Sequence, residues 1–178
     1  MNNNKRLLLL LLLLSISSSS IITCCSVLFS DEKLSIPRTD YKGNQLRVDG
    51  YYYRHDDTNN TLVLFPYRNG VMLFTRAFPS VDLSIVENEM IGEYSAIRKE
   101  KTRWGVFTIM EKKIVYERWT SPTELVSVKK GTGYIENDTT FLITENYFSY
   151  NGKKYPVNEV WHFKPFSNKP DSTNNFIK

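Results

Sequence analysis

The chain has 178 residues and a formal net charge of +4, a length that suits one ordinary domain. Lys5 and Arg6 supply two of these charges, so the chain beyond them carries only +2. This charge is too small to favour binding to nucleic acid or to a polybasic membrane patch. Aromatic residues make up 13% of the chain and cluster beside Val, Ile and Thr, which is typical of β-strands. Composition therefore predicts a mainly β domain and no nucleic-acid partner.

The N-terminal segment has the layout of a secretory signal. Residues 1–6 are polar and carry two cations, residues 7–14 are all leucine, and a serine-rich stretch leads to Cys24 and Cys25. A positive start, an apolar core and small residues before a cleavage point are the three parts of such a signal. We therefore predict that residues 1–23 are a signal peptide and that the remaining chain is exported.

Both cysteines of the chain stand at this junction, so a disulfide framework is excluded for the exported part. The junction resembles the lipobox of bacterial lipoproteins, in which the cysteine after the cleavage site carries a diacylglycerol and an N-acyl chain. Cys24 is the preferred lipidation site and Cys25 the alternative. Two or three acyl chains together give stable membrane attachment.

Two other interpretations of the junction remain. Residues 7–29 are long enough for an uncleaved anchor helix, which needs about 20 apolar residues to cross a bilayer. A soluble secreted product, cut without lipidation, is the second alternative.

The first part of the exported chain predicts a tether and a hairpin. Residues 24–42 mix charges, proline and small polar residues without an apolar period, so we expect a spacer. Residues 46–54 predict a strand. Residues 62–67 and 71–76 predict two more, joined at Asn69-Gly70, the sequence that favours a type I′ turn.

A helix is predicted at residues 81–99, because the apolar spacing changes there from two to three and four. Ser80 can cap this helix. An apolar stripe with helical spacing is most often the face that packs on the core. The stripe consists of Leu83, Val86, Met90, Tyr94 and Ile97.

Beyond residue 102 the apolar period returns to two. The short links between the apolar runs allow only antiparallel neighbours. A meander of about eight strands removes its exposed edges most simply by closing into a barrel. We therefore predict a barrel-like domain over residues 43–166 and an irregular tail over 167–178. The strand-like runs are residues 104–110, 114–119, 124–129, 133–136, 141–144, 147–150 and 155–166.

The exported chain offers little catalytic chemistry. His55 and His162 are its two histidines, and it has no nucleophile elbow, zinc-binding helix or phosphate-binding loop. Asp56 and Asp57 follow His55, but three adjacent loop residues do not converge on one ion without a second segment. We predict no catalytic residue, no metal and no cofactor.

Two acidic residues lie among apolar neighbours at alternate positions. Glu117 shares a strand face with Trp119, and Glu159 shares one with Trp161. The four residues are candidates for a pocket, since an acidic group on an apolar face needs a partner or a wet cavity. These faces are alternatively half covered and outward, or the acids form structural ion pairs. Two carboxylates also suit acid and base catalysis on a glycan.

The chain combines a signal ending in cysteine with four short motifs: Leu-Arg-Val-Asp-Gly-Tyr-Tyr at 46–52, Tyr-Arg-Asn-Gly at 67–70, Trp-Gly-Val-Phe at 104–107 and Lys-Pro-Asp-Ser at 169–172. In these features it resembles small, uncharacterised lipoproteins of Bacteroidota. This resemblance implies a lipocalin-like barrel and assigns no catalytic residue. We expect a lipid-anchored binding or scaffold module of the cell envelope, at the outer membrane, with a small hydrophobic or glycan ligand. The alternative is an envelope enzyme that acts on glycan through Glu117 and Glu159.

Overall fold

Eight antiparallel strands close into a barrel in the computed structural model, which describes residues 32–121 and 126–178. The predicted signal peptide and both candidate lipidation cysteines lie outside the described residues. The elements are β1 (Gly50–His55), β2 (Thr61–Pro66), β3 (Val71–Phe74), α1 (Leu83–Ile97), a 3-10 helix (Lys101–Arg103), β4 (Trp104–Met110), β5 (Lys113–Thr120), β6 (Ser127–Asn137), β7 (Thr140–Phe148) and β8 (Lys153–Pro165).

The strand order follows the chain, and the first and last strands pair to close the barrel. Each strand from β1 to β8 is antiparallel to the next. Gly50 of β1 lies opposite Pro165 of β8, and Tyr53 lies opposite His162. This confirms the prediction of a mainly β domain in which a meander closes into an eight-stranded barrel with one helix. A closed barrel leaves no sheet edge open for pairing with another chain.

Two apolar clusters occupy the two faces of the barrel wall. One cluster draws buried side chains from all eight strands, so it fills the interior. The other contains residues of the first six strands together with α1, so it lies outside, under the helix. Alternation along the strands separates them, as Tyr51 and Tyr52 show: Tyr51 belongs to the outer cluster and Tyr52 to the inner one.

The helix packs on the outer cluster through Val86, Met90 and Ile97, which are buried. It spans Leu83–Ile97 and begins two residues later than predicted. Asp82 is its N-cap and accepts a hydrogen bond from the Ser84 amide, where the sequence indicated Ser80. Asp and Ser are both favoured at this position. No helix in the described part of the chain combines the length and the apolar character needed to cross a bilayer.

The hairpin between β2 and β3 has a different turn from the predicted type I′. Gly70 has a φ of 77°, whereas Asn69 is not among the positive-φ residues. The Gly70 amide donates to the Tyr67 carbonyl at 3.0 Å, and the Tyr67 amide donates to the Val71 carbonyl at 2.9 Å. This is a type I turn followed by a left-handed glycine, the usual three-residue hairpin loop. A Cβ on Gly70 would lie 2.1 Å from the Thr39 carbonyl oxygen.

Two of the predicted strand pairs are single strands in the barrel. Residues 127–129 and 133–136 both belong to β6, in which Val128 lies on the outer face and Ile135 on the inner face, as unbroken alternation requires; the apolar pattern is interrupted there by Gly131 and Gly133. Residues 141–144 and 147–148 both belong to β7, whose register with β6 and with β8 shifts between Ile143 and Glu145. The added residue of this bulge reverses the alternation, which makes β7 look like two strands.

Residues 41–49 cross one end of the barrel and fill it. Leu46 is 1% exposed and belongs to the inner cluster, together with Tyr41. The Tyr41 amide donates to the Arg68 carbonyl of one end loop, and the Arg47 amide donates to the Asp138 carbonyl of another. The strand predicted at 46–54 therefore begins only at Gly50, because the residues before it close the barrel.

The two ends of the described chain pack on the outside of the wall. Leu34 and Ile36, from the segment predicted as a tether, pack against the outer cluster. Residues 167–178 contain no helix or strand, yet Ile177 is buried in the same cluster. The Lys169 ammonium donates to the Val48 and Pro66 carbonyls. Both segments are thus ordered parts of the domain.

Candidate functional site

The barrel wall separates the four residues predicted for a pocket into two pairs. Trp161 belongs to the inner cluster and Trp119 to the outer one. Glu159 lies on the face of Trp161, and Glu117 lies on the face of Trp119. The four residues therefore do not line one pocket. The alternation along each strand was predicted correctly, but nothing within a strand says which face turns inward.

Glu117 fastens the N-terminal segment to the outer wall. One carboxylate oxygen accepts from the Ser35 amide at 2.6 Å and the Ile36 amide at 3.0 Å. The other accepts from the Ser35 hydroxyl at 2.6 Å and lies 3.3 Å from the Lys130 ammonium. Burial acts to raise the pKa of this carboxyl, but these hydrogen bonds outweigh it, so the pKa lies below its usual value. A carboxylate so fully occupied is structural.

Trp119 belongs to the same exterior contact. Its indole N–H donates to the Glu32 carbonyl at 2.7 Å, and the Lys101 ammonium lies 4.7 Å from the centre of its ring. Trp119 is thus covered by the N-terminal segment, which leaves the inner pair, Glu159 and Trp161, as the part of the predicted site that faces the barrel interior.

A group of polar side chains surrounds Glu159 inside the barrel, at the end opposite residues 41–49. We call this group the mouth cluster; it comprises Arg54, Arg118, Lys129, Asn146 and Glu159. The Asn146 amide donates to Glu159 at 2.9 Å. The Arg54 guanidinium lies 3.7 Å and the Lys129 ammonium 3.8 Å from the same carboxylate oxygen. Arg54, Arg118, Lys129, Asn146 and Glu159 come from β1, β5, β6, β7 and β8 respectively.

The cluster is mostly shielded from solvent and only partly paired. The side chains of Arg54, Lys129 and Glu159 are 21%, 14% and 12% exposed. Three buried polar atoms have no hydrogen-bond partner: Nε of Arg54, Oδ1 of Asn146 and Nε1 of Trp161. Nearly all buried polar groups in proteins are paired with protein or ordered water, so these three atoms stand out as groups that the described residues do not satisfy.

Positive charge exceeds negative charge in the mouth cluster. The cluster contains three cations and one carboxylate, which gives a net charge of +2. Burial lowers the pKa of Lys129 to about 8, and Glu159 opposes the shift. Burial also lowers the pKa of Arg118, whose guanidinium lies 4.9 Å from the centre of the Phe74 ring. Desolvation of the charged form explains both shifts.

Aromatic side chains form the floor beneath the mouth cluster. Trp161 stacks on Phe141 with ring centres 6.0 Å apart, and Tyr116 packs on Phe74 at 5.3 Å. Tyr116 occupies the space above Gly131, where a Cβ would lie 2.2 Å from the ring. The interior below the cluster is therefore filled, and a ligand would bind at the mouth rather than deep in the barrel.

The acidic residues predicted for the site do not converge on one place. Glu159 is the single carboxylate of the mouth cluster, and Glu117 lies on the other face of the wall. The described residues contain no group of three or more acidic, histidine or cysteine side chains that could hold a metal ion. His55 pairs with Thr61, and Asp56 accepts bonds within its own loop from Thr58 and Asn60.

Sequence analysis missed Arg54, Arg118, Lys129 and Asn146 as site residues. A signal for two of them was present, because Arg54 follows Tyr52 and Arg118 follows Tyr116 at the spacing of one strand face. Lys129 shares its strand face with Gly131 and Gly133, so no apolar side chain beside it marks that face as the inner one. Asn146 lies beyond the bulge of β7, and periodicity cannot be extended through a bulge.

No known protein family, curated protein or solved structure shows a significant match to this chain. The number of strands, their antiparallel order and the closure of β1 on β8 are compatible with a lipocalin-like fold.

Proposed function

We propose that the protein is a lipid-anchored binding module of the bacterial cell envelope that takes a small ligand at the mouth of its barrel. Cys24, or alternatively Cys25, would carry the lipid and hold the domain at the outer membrane. Two features support a binding role: one end of the barrel is filled by residues 41–49, and the other carries the polar mouth cluster.

The observation that carries this proposal is the set of unpartnered atoms at the mouth. Asn146 and Trp161 are only 4% and 3% exposed, yet Oδ1 of Asn146 and Nε1 of Trp161 lack hydrogen bonds. An unpaired buried polar group costs about 1–3 kcal/mol. A ligand that bonds to these atoms recovers that cost, and a purely structural barrel could have placed apolar side chains there.

The alternative of a glycan-cleaving enzyme finds less support. A pair of catalytic carboxylates has to flank one bond of the substrate, at most about 10 Å apart across a shared cleft. Glu117 and Glu159 lie on opposite faces of the barrel wall, and Glu117 is occupied by Ser35 and Ile36. A binding module requires no such pair.

NMR titration of the purified, isotope-labelled mature protein tests the proposal. The probes are short alcohols, neutral sugars, organic acids and sugar phosphates, each added separately. We expect at least one class to shift the Trp161 indole and Asn146 amide signals. The Trp119 indole, on the outer wall, is the internal control and should not shift. If every class leaves the Trp161 and Asn146 signals unchanged, the mouth is not a ligand site.

A further inference from the structure

Glu159 is shared by two cations without a close contact to either. Its Oε1 lies 3.7 Å from Arg54 and 3.8 Å from Lys129, whereas a charge-assisted hydrogen bond is usually shorter than roughly 3 Å. The Asn146 amide, at 2.9 Å, is the one close donor. Arg54 and Lys129 therefore keep most of their hydrogen-bonding capacity.

Arg118 has no acidic partner among the described residues. Its one hydrogen bond there is to the Thr102 carbonyl, at 3.4 Å, which is long for an N–H donor. A guanidinium offers several donors in a planar fork that matches a carboxylate or phosphate. The remaining donors of Arg118 are thus available at the mouth of the barrel.

The excess positive charge is a cost that a bound anion would remove. Taking a charged group out of water costs several kcal/mol unless an opposite charge compensates it. One carboxylate cannot compensate three cations, whereas the outward-facing Lys130 and Lys154 each have an acid within 3.3 Å and 3.0 Å. In the mouth cluster the side chains of Arg54 and Lys129 remain 21% and 14% exposed.

The unpartnered atoms specify a second property of the ligand. Arg54 Nε and Trp161 Nε1 are donors and match oxygen atoms of an anion. Asn146 Oδ1 is an acceptor, so it requires a donor, which a carboxylate or a fully ionised phosphate lacks. A hydroxyl group on the ligand supplies it.

Resting on the proposed function, we propose that the mouth binds a small hydroxylated organic anion, whose carboxylate or phosphate lies among Arg54, Arg118 and Lys129. A hydroxyl of the same ligand donates to Asn146. Acidic sugars and hydroxy acids have this chemistry. A neutral sugar would leave the positive charge uncompensated, and a cation would add to it.

Isothermal titration calorimetry with matched sugars tests the charge requirement. Glucuronate, glucose and glucosamine share one ring and differ in charge, and glucose 6-phosphate replaces the carboxylate by a phosphate. We expect glucuronate or glucose 6-phosphate to bind at least about tenfold more tightly than glucose, because a desolvated ion pair adds more than about 1.4 kcal/mol. Which of the two anions binds more tightly distinguishes a carboxylate from a phosphate ligand.

Two lysine variants test whether the anion binds beside Lys129. Lys129→Met should weaken binding of the preferred anion by about tenfold or more. Lys154→Met is the matched control, because Lys154 is 66% exposed on the outer face, and it should leave the affinity unchanged. The salt dependence of wild-type binding needs no variant: added NaCl should weaken binding of the anion and leave glucose unaffected. This measurement stands even if a variant fails to fold.

Several results would overturn the inference. Equal binding of glucose, glucuronate and glucose 6-phosphate, or preference for glucosamine, refutes an anion site while leaving a ligand site at the mouth. Equal binding of cyclohexanecarboxylate and glucuronate refutes the hydroxyl requirement. If none of these probes binds and the Trp161 and Asn146 NMR signals also respond to no compound, both the inference and the proposed function are wrong.

Discussion

Replacing Glu117 tests whether this buried acid is structural or functional. Its carboxylate joins the segment around Ser35 and Ile36 to the outer wall by three hydrogen bonds. Hydrogen bonds to a charged group contribute about 1.5–3 kcal/mol each, but the released amides of a detached segment regain water. We therefore expect Glu117→Ala to lower the free energy of unfolding by roughly 2–4 kcal/mol and Glu117→Gln by roughly 1–2 kcal/mol.

The dependence on pH gives this prediction a sign. The pKa of Glu117 in the folded protein lies below its ordinary value of 4.5. Its contribution to stability is therefore fully present above that ordinary value and is lost as the pH falls through the folded-state pKa. Glutamine does not titrate, so the stability difference between wild type and Glu117→Gln should shrink as the solution is acidified.

Urea denaturation between about pH 3 and pH 7 measures the difference, and amide hydrogen exchange of Ser35 and Ile36 shows whether the segment detaches. Glu145→Gln is the control, because the side chain of Glu145 is 39% exposed and pairs with Lys154 on the outer face. A Glu117→Gln protein as stable as this control, with unchanged exchange at Ser35, would refute the structural role.

Three further predictions follow from the turns, the anchor and a buried lysine. Gly70→Ala should destabilise the domain more than Gly152→Ala. Both glycines have positive φ, but only Gly70 has a carbonyl oxygen 2.1 Å from the added Cβ. Thermal unfolding compares the two variants, and equal losses of stability would contradict the packing argument. Replacing Cys24 and Cys25 together by alanine should release the protein from the membrane fraction, whereas a membrane-bound, full-length double mutant would indicate an anchor helix. Burial lowers the pKa of Lys169 to about 7, so above that pH the folded state loses a proton that the unfolded state keeps. The free energy of unfolding of wild type, relative to Lys169→Met, should therefore rise by on the order of 1–3 kcal/mol toward about pH 10. A difference that does not change with pH would refute this prediction.

The barrel was predictable because short links and period-two alternation restrict the topology strongly. Turns too short for a crossover allow only antiparallel neighbours, and a long meander has few ways to remove its edges. The number of strand-like runs was less reliable. A bulge between Ile143 and Glu145 splits β7 into two apparent strands, since one added residue reverses the side on which the apolar residues lie. Gly131 and Gly133 interrupt the apolar pattern of β6.

The location of the site was harder to predict than the fold. In this barrel a helix and two end segments cover much of the outer face, so both faces of the wall carry buried apolar residues. Glu117 and Glu159 therefore have similar apolar neighbours in sequence, although they lie on opposite faces. The contacts that distinguish them are long-range: Ser35 meets Glu117 across more than eighty residues of chain, and Lys129 and Asn146 meet Glu159 from other strands. Strand periodicity contains no information on such contacts.

Charged side chains on the outer and inner faces of the barrel wall differ in how completely they are paired. On the outer face, Lys130 is paired with Glu117 at 3.3 Å, and every oxygen of that acid is used. One residue earlier, on the inner face, Lys129 shares Glu159 with Arg54 at distances above 3.5 Å, and Arg118 has no described acidic partner. Sequences are locally consistent except where function requires otherwise. The same strand satisfies one lysine and leaves the next unsatisfied, and a bound anion would supply the missing negative charge at the mouth cluster.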